Sequence, residues 1–203
     1  METDEREAIR AEKARLRARF RQARLALSEA DYAAHSALIR ERLLALPEVQ
    51  AARTAHVYWP MTERREVDVR PLVTALHARG VRVLLPVVVP RTAGAPPRLL
   101  HGPFEGEERL ARTPWGLYEP TATDADLEAL DVVVVPALGA GRNGHRIGHG
   151  AGYYDAFLAE TSAFTVCPVF AACLVERVPA EPHDRAVDVV VTEEEVWTVS
   201  GGR

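Results

Sequence analysis

The sequence predicts an α/β domain in which helices cover a mostly parallel sheet, and three observations support this prediction. Apolar β-branched runs alternate along the chain with stretches of helical periodicity. The run DVVVVPALG at 131–139 is apolar throughout, as expected of a central strand covered on both faces. The 203 residues, 47% of them apolar, suffice for one full core. We therefore predict a single domain over residues 1–203.

The first predicted element is a helix over residues 7–26. Ile9, Leu16 and Phe20 recur at helical spacing, and neither Gly nor Pro interrupts them. At about 100° per residue, Lys13 falls at the edge of this apolar stripe. It therefore faces toward the body of the protein.

A second helix and a series of alternating elements follow. Ser28 is typical of an N-cap, and the helix it opens is predicted to run to about residue 46, where Pro47 stops the pattern. The later predictions are a strand at 54–59, a loop and helix at 66–80, one bent strand or two strands at 81–89, a strand at 98–104, turns and a short helix within 113–130, a helix at 153–161, and strands at 164–175 and 188–192.

Composition narrows the class of protein. The net charge of -4 does not favour a duplex nucleic acid or an anionic membrane as the main partner. The first 20 residues are charged throughout, and no run approaches the roughly 18 apolar residues that span a bilayer. We expect a cytoplasmic monomer without nucleic-acid or membrane partners. Cys167 and Cys173 lie in an apolar run and are expected to be buried, reduced thiols.

Lys13 is the only lysine among 25 Lys and Arg residues. A chain that otherwise uses arginine for its cations and keeps one ammonium indicates a need for a compact, strongly hydrated charge at that place. The alternative is chance. Arg17 lies four residues further along the same side of the helix, whereas Arg15, Arg19 and Arg21 are expected on a solvated face.

The stretch GHRIGHGAGYYD at 144–155 lies between the predicted central strand and a helix, where α/β sheets bind ligands. Glycines at 148, 150 and 152 allow the backbone to approach a polyphosphate without interference from Cβ atoms, and Arg146 adds a charged donor. The spacing is neither the dinucleotide GxGxxG nor a Walker motif. The alternative is an ordinary loop.

Acidic residues near this loop suit a divalent cation. Asp155 follows the glycines within one helical turn, and its alternative role is to favour the helix dipole. A second ligand is available in Asp184, which lies in a Pro-bounded turn where carboxylates often serve the turn itself. Asp188 is the weaker candidate.

Two further residues suit a flat organic ligand. Glu66 follows a strand and a loop and is predicted to open a helix, where its carboxylate either favours the dipole or accepts from an amide and amine edge of the ligand. Trp115, between Pro114 and Gly116, is either a hydrophobic plug or an aromatic wall.

Taken together, the sequence resembles the 5-formyltetrahydrofolate cyclo-ligase family over nearly its whole length. The resemblance is carried by KARLR at 13–17, EVDVRPL at 66–72, TPWGLYEP at 113–120, DVVVVPALG leading to GHRIGHGAGYYD, and VPAEPHDRAVDVVVTE at 178–193. It implies a three-layer α/β fold shared with sugar-phosphate isomerases and CoA transferases. It also implies an enzyme that uses ATP and Mg²⁺ to convert 5-formyltetrahydrofolate into 5,10-methenyltetrahydrofolate, ADP and phosphate.

The resemblance assigns roles to matching positions. Lys13, Arg146 and Asp155 would be catalytic. The ATP site would comprise Lys13, Arg17, Arg146, Gly148, His149, Gly150, Ala151, Gly152, Tyr153 and Tyr154. Asp155 and Asp184 would hold Mg²⁺, and the folate would contact Trp59, Glu66 and Trp115.

Four positions depart from the family pattern, namely Ala140, Gly141, His149 and Ala151. Ala140 and Gly141 stand where an aromatic or apolar residue and an aspartate are common. Two alternatives therefore stay open: a paralogue that uses the same ATP loop on another formyl or amide substrate, and a non-catalytic module that binds folate or nucleotide. ADP production would exclude the second.

Overall fold

The computed structural model describes residues 2–92, 94–114, 116–123 and 130–199. The α-helices are α1 Glu2–Leu25, α2 Glu29–Ala45, α3 Pro47–Ala51, α4 Arg70–Ala78 and α5 Tyr153–Leu158. The strands are β1 Thr54–Val57, β2 Arg82–Val88, β3 Leu99–Pro103, β4 Leu110–Arg112, β5 Tyr118–Pro120, β6 Val132–Val134, β7 Gly139–Gly141, β8 Arg146–Ile147, β9 Phe164–Pro168, β10 Leu174–Val175, β11 Val189–Val191 and β12 Val196–Thr198.

A seven-stranded sheet in the order β12-β11-β9-β6-β1-β2-β3 forms the centre of the fold. The five inner strands are parallel, and the edge strands β3 and β12 pair antiparallel to their neighbours. β6 is the middle strand, so the prediction of a central strand in the valine run is confirmed.

Both faces of this sheet are covered. Val132 and Val134 belong to one buried cluster, which includes residues of α2 and α4. Val133 and Val135 belong to a second cluster on the opposite face, which includes Phe157 of α5. Because side chains alternate along a strand, the valine run supplies both cores at once. The predicted α/β class is confirmed, whereas the likeness to sugar-phosphate isomerases and the single domain stay predictions.

The two N-terminal helices form as their sequences predict. The side chain of Ser28 accepts a hydrogen bond from the Asp31 amide at 3.0 Å, which satisfies a free donor at the start of α2. Leu16 and Phe20 of α1 are buried in a third cluster, against Leu138 and Ile147. This contact lays α1 beside the segment that carries the glycines.

The main correction concerns residues 139–147, which the sequence predicted as the end of a strand and a loop. They form β7 and β8, which join β10 in a separate three-stranded sheet. Residues 164–175 were wrongly predicted as one strand, since β9 ends at Pro168 and a 3-10 turn, Ala171–Cys173, precedes β10. In addition, α5 ends at Leu158 rather than at residue 161.

Other predictions differ in smaller ways. Of the two alternatives for residues 81–89, the single strand is correct, since Arg82–Val88 forms one strand. Glu66 does not open a helix, because α4 begins four residues later at Arg70. Much of the short helix predicted within 113–130 falls on residues 124–129, outside the described residues.

Both cysteines are buried and unpaired, as predicted. Burial raises the pKa of Cys167 to about 12 and that of Cys173 to about 11, so both thiols stay protonated near neutral pH. Within the described ranges, no helix has the length and apolar character needed to span a membrane.

Candidate active site

A cavity of about 720 Å³ opens where several parallel strands end. Trp59 follows β1 and Ala137 follows β6, so both lie at the carboxyl edge of the sheet. The helix α1 closes one side. The cavity is lined by every sequence-predicted site residue that the structure describes, namely Lys13, Arg17, Trp59, Glu66, Arg146, Gly148, His149, Gly150, Ala151, Gly152, Tyr153, Tyr154, Asp155 and Asp184. Trp115 lies outside the described residues.

Lys13 is buried and paired with two carboxylates. Its Nζ atom donates to Glu181 Oε2 at 2.9 Å and to Asp184 Oδ2 at 2.5 Å. Arg10, one helical turn earlier, lies 3.4 Å from the other oxygen of Glu181. The prediction that Lys13 faces the body of the protein is confirmed. Sequence reasoning missed Glu181, its partner.

These pairs lower the pKa of both acids. Burial raises the pKa of Asp184, but hydrogen bonds from Lys13 and the Glu181 amide outweigh it and hold the pKa below the usual 3.8. The hydrogen bond from Lys13 likewise lowers the pKa of Glu181. Both carboxylates are therefore ionised near neutral pH.

A second ion pair lies beside the first. Arg146 Nη1 donates to Asp155 Oδ1 at 2.9 Å, and the side chain of Arg146 is only 4% exposed. The Arg185 amide also donates to Asp155 Oδ1, at 3.2 Å, and Arg185 follows directly on Asp184. The two predicted metal ligands therefore lie on neighbouring parts of the cavity wall.

The donor set suits a divalent cation. Glu181, His183 and Asp184 each offer one ligand atom, and these atoms lie within 4.8 Å of one another. Carboxylate oxygens are the ligands that Mg²⁺ prefers. Asp155 stands outside this group of three, so the observed cluster centres on residues 181–184, which we call the acidic turn.

The glycine loop, residues 148–152, forms the next part of the wall. Gly150 and Gly152 have φ angles of +96° and +78°, which other residues rarely adopt. A Cβ atom at Gly148 would meet nothing within 4 Å, so that backbone borders open space. Arg17 Nε donates to the Gly148 carbonyl at 3.0 Å and fixes the loop to α1. Exposed backbone and nearby cations suit a polyphosphate.

Glu66 is buried, and its two oxygens have different partners. Oε2 accepts from the Met61 amide at 2.9 Å, whereas Oε1 lies 3.2 Å from Nε2 of His149 in the glycine loop. His149 is exposed, and Glu66 is the one hydrogen-bond partner of its ring among the described residues, so a ligand could take the place of His149 at Glu66. The predicted phosphate loop and the predicted folate contact therefore touch each other.

The backbone around Glu66 is held by three neighbouring elements. The carbonyls of residues 65, 66 and 67 accept hydrogen bonds from the side chains of Arg24, Tyr32 and Tyr58 respectively, at 2.7, 2.9 and 3.0 Å. Arg65 has a φ of +52°. Such a left-handed backbone costs a non-glycine residue about 1–2 kcal/mol. We call residues 61–67 the Glu66 loop.

Aromatic side chains complete the cavity. Trp59 stacks on Phe104 with ring centroids 5.7 Å apart. Tyr153 donates its hydroxyl to the Val89 carbonyl at 3.0 Å. The hydroxyl of Tyr154 is buried and has no hydrogen-bond partner among the described residues, and burial raises its pKa. Tyr154 therefore keeps a free donor at the cavity wall.

Comparison with known proteins now identifies the family. A sequence model described as the 5-formyltetrahydrofolate cyclo-ligase family matches residues 9–193. This chain belongs to that family. A 5-formyltetrahydrofolate cyclo-ligase of Escherichia coli strain K12 is 33% identical over 162 residues, which cover 77% of this chain and 86% of the relative. A cyclo-ligase of Mycolicibacterium smegmatis is 37% identical over 147 residues, which cover 70% of this chain and 74% of that one.

A solved structure supports the same family assignment. The NMR structure of Aquifex aeolicus 5,10-methenyltetrahydrofolate synthetase superposes with a TM-score of 0.78 and is 28% identical, covering 94% of both chains. Members of the cyclo-ligase family are enzymes, so the cavity is a candidate active site. The family resemblance drawn from the sequence is confirmed.

Two residues that sequence reasoning missed stand out in this family member. Glu181 lies three residues before Asp184, in the PAEPHD turn that had already supplied one candidate acid. Arg24 lies eleven residues after Lys13, which at about 100° per residue returns it to the same helix face. Helical spacing alone could have drawn attention to Arg24.

Proposed function

We propose that this chain catalyses the ATP- and Mg²⁺-dependent cyclisation of 5-formyltetrahydrofolate to 5,10-methenyltetrahydrofolate, with release of ADP and phosphate. The observation that carries the proposal is one cavity that combines the buried Lys13, the glycine loop, the acidic turn and the Glu66 loop. Family membership supplies the reaction class. The cavity offers cationic side chains for the phosphates of ATP and carboxylates for Mg²⁺.

The chemistry requires activation of a poor leaving group. Ring closure joins N10 to the N5-formyl carbon, and the formyl oxygen has to leave. Transfer of the γ-phosphoryl group of ATP to that oxygen releases ADP and makes the oxygen part of a phosphate leaving group. N10 then attacks the formyl carbon and loses its proton, and the C–O bond breaks to release phosphate. Such a reaction depends mainly on positioning and charge stabilisation, and it needs no covalent enzyme intermediate.

The cations of the cavity are proposed to bind ATP phosphates. Lys13, Arg17 and Arg146 line the cavity beside the glycine loop, and each carries a charged donor. We assign residues 148–154 to the same ATP site. Lys13 and Arg146 are both paired with carboxylates, so bound phosphate would compete with these carboxylates for the two cations.

The acids fit a magnesium ion. We propose that Asp155 and Asp184 hold Mg²⁺, with Glu181 as a neighbour that shares Lys13. Bound there, the ion would offset phosphate charge. Asp184 Oδ2 accepts from Lys13 and from the Glu181 amide. When Lys13 turns toward phosphate, this oxygen loses one of its two donors and could bind the ion.

Glu66 and Trp59 are proposed to contact the folate, as is Trp115. Within the described residues, His149 is the one hydrogen-bond partner of Glu66 Oε1, and a pterin amide or amine group could donate to that oxygen instead. Trp59 offers an apolar wall that Phe104 holds in place. The neighbouring Tyr154 hydroxyl adds a free donor.

The experiment is a near-ultraviolet absorbance assay of purified protein with 5-formyltetrahydrofolate and Mg²⁺, run with and without ATP. We expect the band of the methenyl product to grow only with ATP, together with an equal amount of ADP. No band from folded protein that binds ATP would refute the proposal and favour a paralogue with another acceptor. Folate binding without ADP would favour a non-catalytic module.

A further inference from the structure

Arg24 is a buried charge that has no carboxylate partner among the residues that the structure describes. It lies in the last turn of α1 and is 2% exposed. Its Nε atom donates to the Arg65 carbonyl at 2.7 Å, and Nη1 lies 3.5 Å from the Ala137 carbonyl. Its third nitrogen, Nη2, is buried and has no hydrogen-bond partner within the described part of the chain.

This arrangement is costly for a residue with only a packing role. Burying a guanidinium without an opposite charge is unfavourable, and buried polar atoms are normally all hydrogen-bonded. The C-terminal end of α1 offsets only part of that cost, through its partial negative charge. An apolar side chain would fill the space without the penalty, so the cation points to a function.

The two carbonyls that Arg24 contacts lie at the cavity: Ala137 lines it, and Arg65 stands between Arg64 and Glu66, which both line it. The Arg65 carbonyl directly precedes Glu66, at the point where the backbone turns left-handed. Ala137 lines the cavity after the central strand β6. Arg24 thus connects the Glu66 loop to the end of the sheet. Its contact in that loop is Arg65, the left-handed residue directly before Glu66.

Arg24 also shares a helix face with the proposed phosphate-binding residues. At about 100° per residue, Lys13, Arg17 and Arg24 lie within about 40° of one another around α1. The first two line the cavity, and the third contacts the Glu66 loop. One rigid helix therefore joins the two parts of the cavity.

We propose that Arg24 is a positioning residue that sets Glu66 relative to Lys13 and Arg17, and so aligns the folate with the phosphate it receives. This inference rests on the proposed function, since it assigns folate to Glu66. Arg24 does not itself touch the substrate. Its effect on the reaction passes through the Arg65 carbonyl.

The test compares Arg24→Met with Arg24→Lys. Methionine removes both donors, and lysine restores one charged donor. We expect KM for 5-formyltetrahydrofolate to rise about tenfold in Arg24→Met and less in Arg24→Lys, while KM for ATP changes less than about twofold. The matched control is Arg79→Met, since Arg79 is exposed and donates to the Gln50 carbonyl outside the cavity. It should leave both KM values unchanged.

A double-mutant cycle distinguishes positioning of Glu66 by Arg24 from a general destabilisation of the fold. In a Glu66→Gln background, Arg24→Met should add little to the folate KM, because both changes act on the same carboxylate. Additive effects, an unchanged folate KM or an equal rise in both KM values would overturn the inference. If Arg24→Met does not give a cooperative melt, the same readings are taken from Arg24→Lys. A wild-type protein without turnover would instead refute the proposed function.

Discussion

The acidic turn and the Glu66 loop border the same cavity but are stabilised in different ways. At the acidic turn, charged side chains pair with one another: Lys13 with Glu181 and Asp184, and nearby Arg146 with Asp155. In the Glu66 loop, side chains from three elements donate to consecutive backbone carbonyls and fix the chain itself. The first region is held by partners that can exchange, and the second by its backbone.

This difference suits two kinds of ligand. A highly charged ligand that brings its own cation can replace ion pairs one for one, so that no charge is left unpaired in the cavity. A flat, neutral ring gains more from a carboxylate already fixed in place, because little has to be ordered on binding. We infer that the acidic turn adjusts to ATP, whereas the Glu66 loop selects the folate by fit.

The largest effect on activity is expected when the acidic turn loses its partner Lys13. Lys13→Ala should lower kcat/KM for ATP about 100- to 1,000-fold, because it removes a charged donor from the phosphates. The thermal midpoint should fall by only a few degrees, since the freed carboxylates line a cavity open to water. Steady-state kinetics and thermal melts measure both.

The control for Lys13→Ala is Arg15→Ala, which removes an exposed cation of the same helix that pairs with Glu12. It should change neither activity nor stability appreciably. A Lys13→Ala enzyme that melts far lower yet turns over normally when folded would show that Lys13 serves structure alone.

The role of the Glu66 loop is tested by Glu66→Gln. The amide keeps the shape and can still accept from the Met61 amide, but it loses the charge offered to the folate. We expect KM for 5-formyltetrahydrofolate to rise about 10- to 100-fold, with KM for ATP nearly unchanged. If the ATP value rose equally, the division between the two regions would be wrong.

A smaller effect should distinguish the two tyrosines that follow the glycine loop. Tyr154→Phe should lower kcat/KM about tenfold, because its hydroxyl is a buried donor that no described residue satisfies. Tyr153→Phe should lower it less, since that hydroxyl already donates to the Val89 carbonyl. The pair forms its own control: equal losses would show that the free donor of Tyr154 has no ligand.

The smallest expected effect is on the stability of the folded protein and arises from two buried histidines. His56 is fully buried, neither ring nitrogen has a partner in the described part of the chain, and its ring packs beside His101, 4.9 Å away. Burial, reinforced by the neighbouring His101, holds the pKa of His56 well below the usual 6.5, and burial lowers the pKa of His101 to about 4. Both rings therefore stay neutral in the folded protein.

Groups with a lowered folded pKa contribute stability that is present above the unfolded pKa and is lost as the pH falls. The thermal midpoint should therefore drop between pH 6.5 and about 4. His56→Leu should raise the midpoint at pH 7 by roughly 2–4 °C, because it removes two unsatisfied polar atoms. It should also flatten the acid decline. A steeper decline in the variant would contradict this explanation.

The local features of the fold were readable from the sequence. The valine run predicted the central strand because its uninterrupted apolar character requires cover on both faces, and Ser28 predicted the start of α2 through its capping chemistry. The small sheet was missed. β7 is the tripeptide Gly-Ala-Gly, and its pairing with β10 joins residues more than thirty positions apart, so neither propensity nor spacing signals it.

The sequence predicted most of the side chains that meet in the cavity, but neither Glu181 nor the pairings between them. Helical spacing placed Lys13 toward the body of the protein, yet its acids lie 168 and 171 residues along the chain. His149 was assigned to phosphate, and its contact with Glu66 depends on how two distant loops meet. Arg24 had the right helical phase, but an arginine at a helix end ordinarily lies in solvent.

The most direct test is equilibrium binding of each ligand alone, measured by calorimetry in Lys13→Ala and Glu66→Gln. We predict that Lys13→Ala loses affinity for Mg²⁺–ATP and keeps it for 5-formyltetrahydrofolate, whereas Glu66→Gln does the opposite. If both variants lost both ligands, or if the pattern were reversed, the two regions of the cavity would not serve separate substrates.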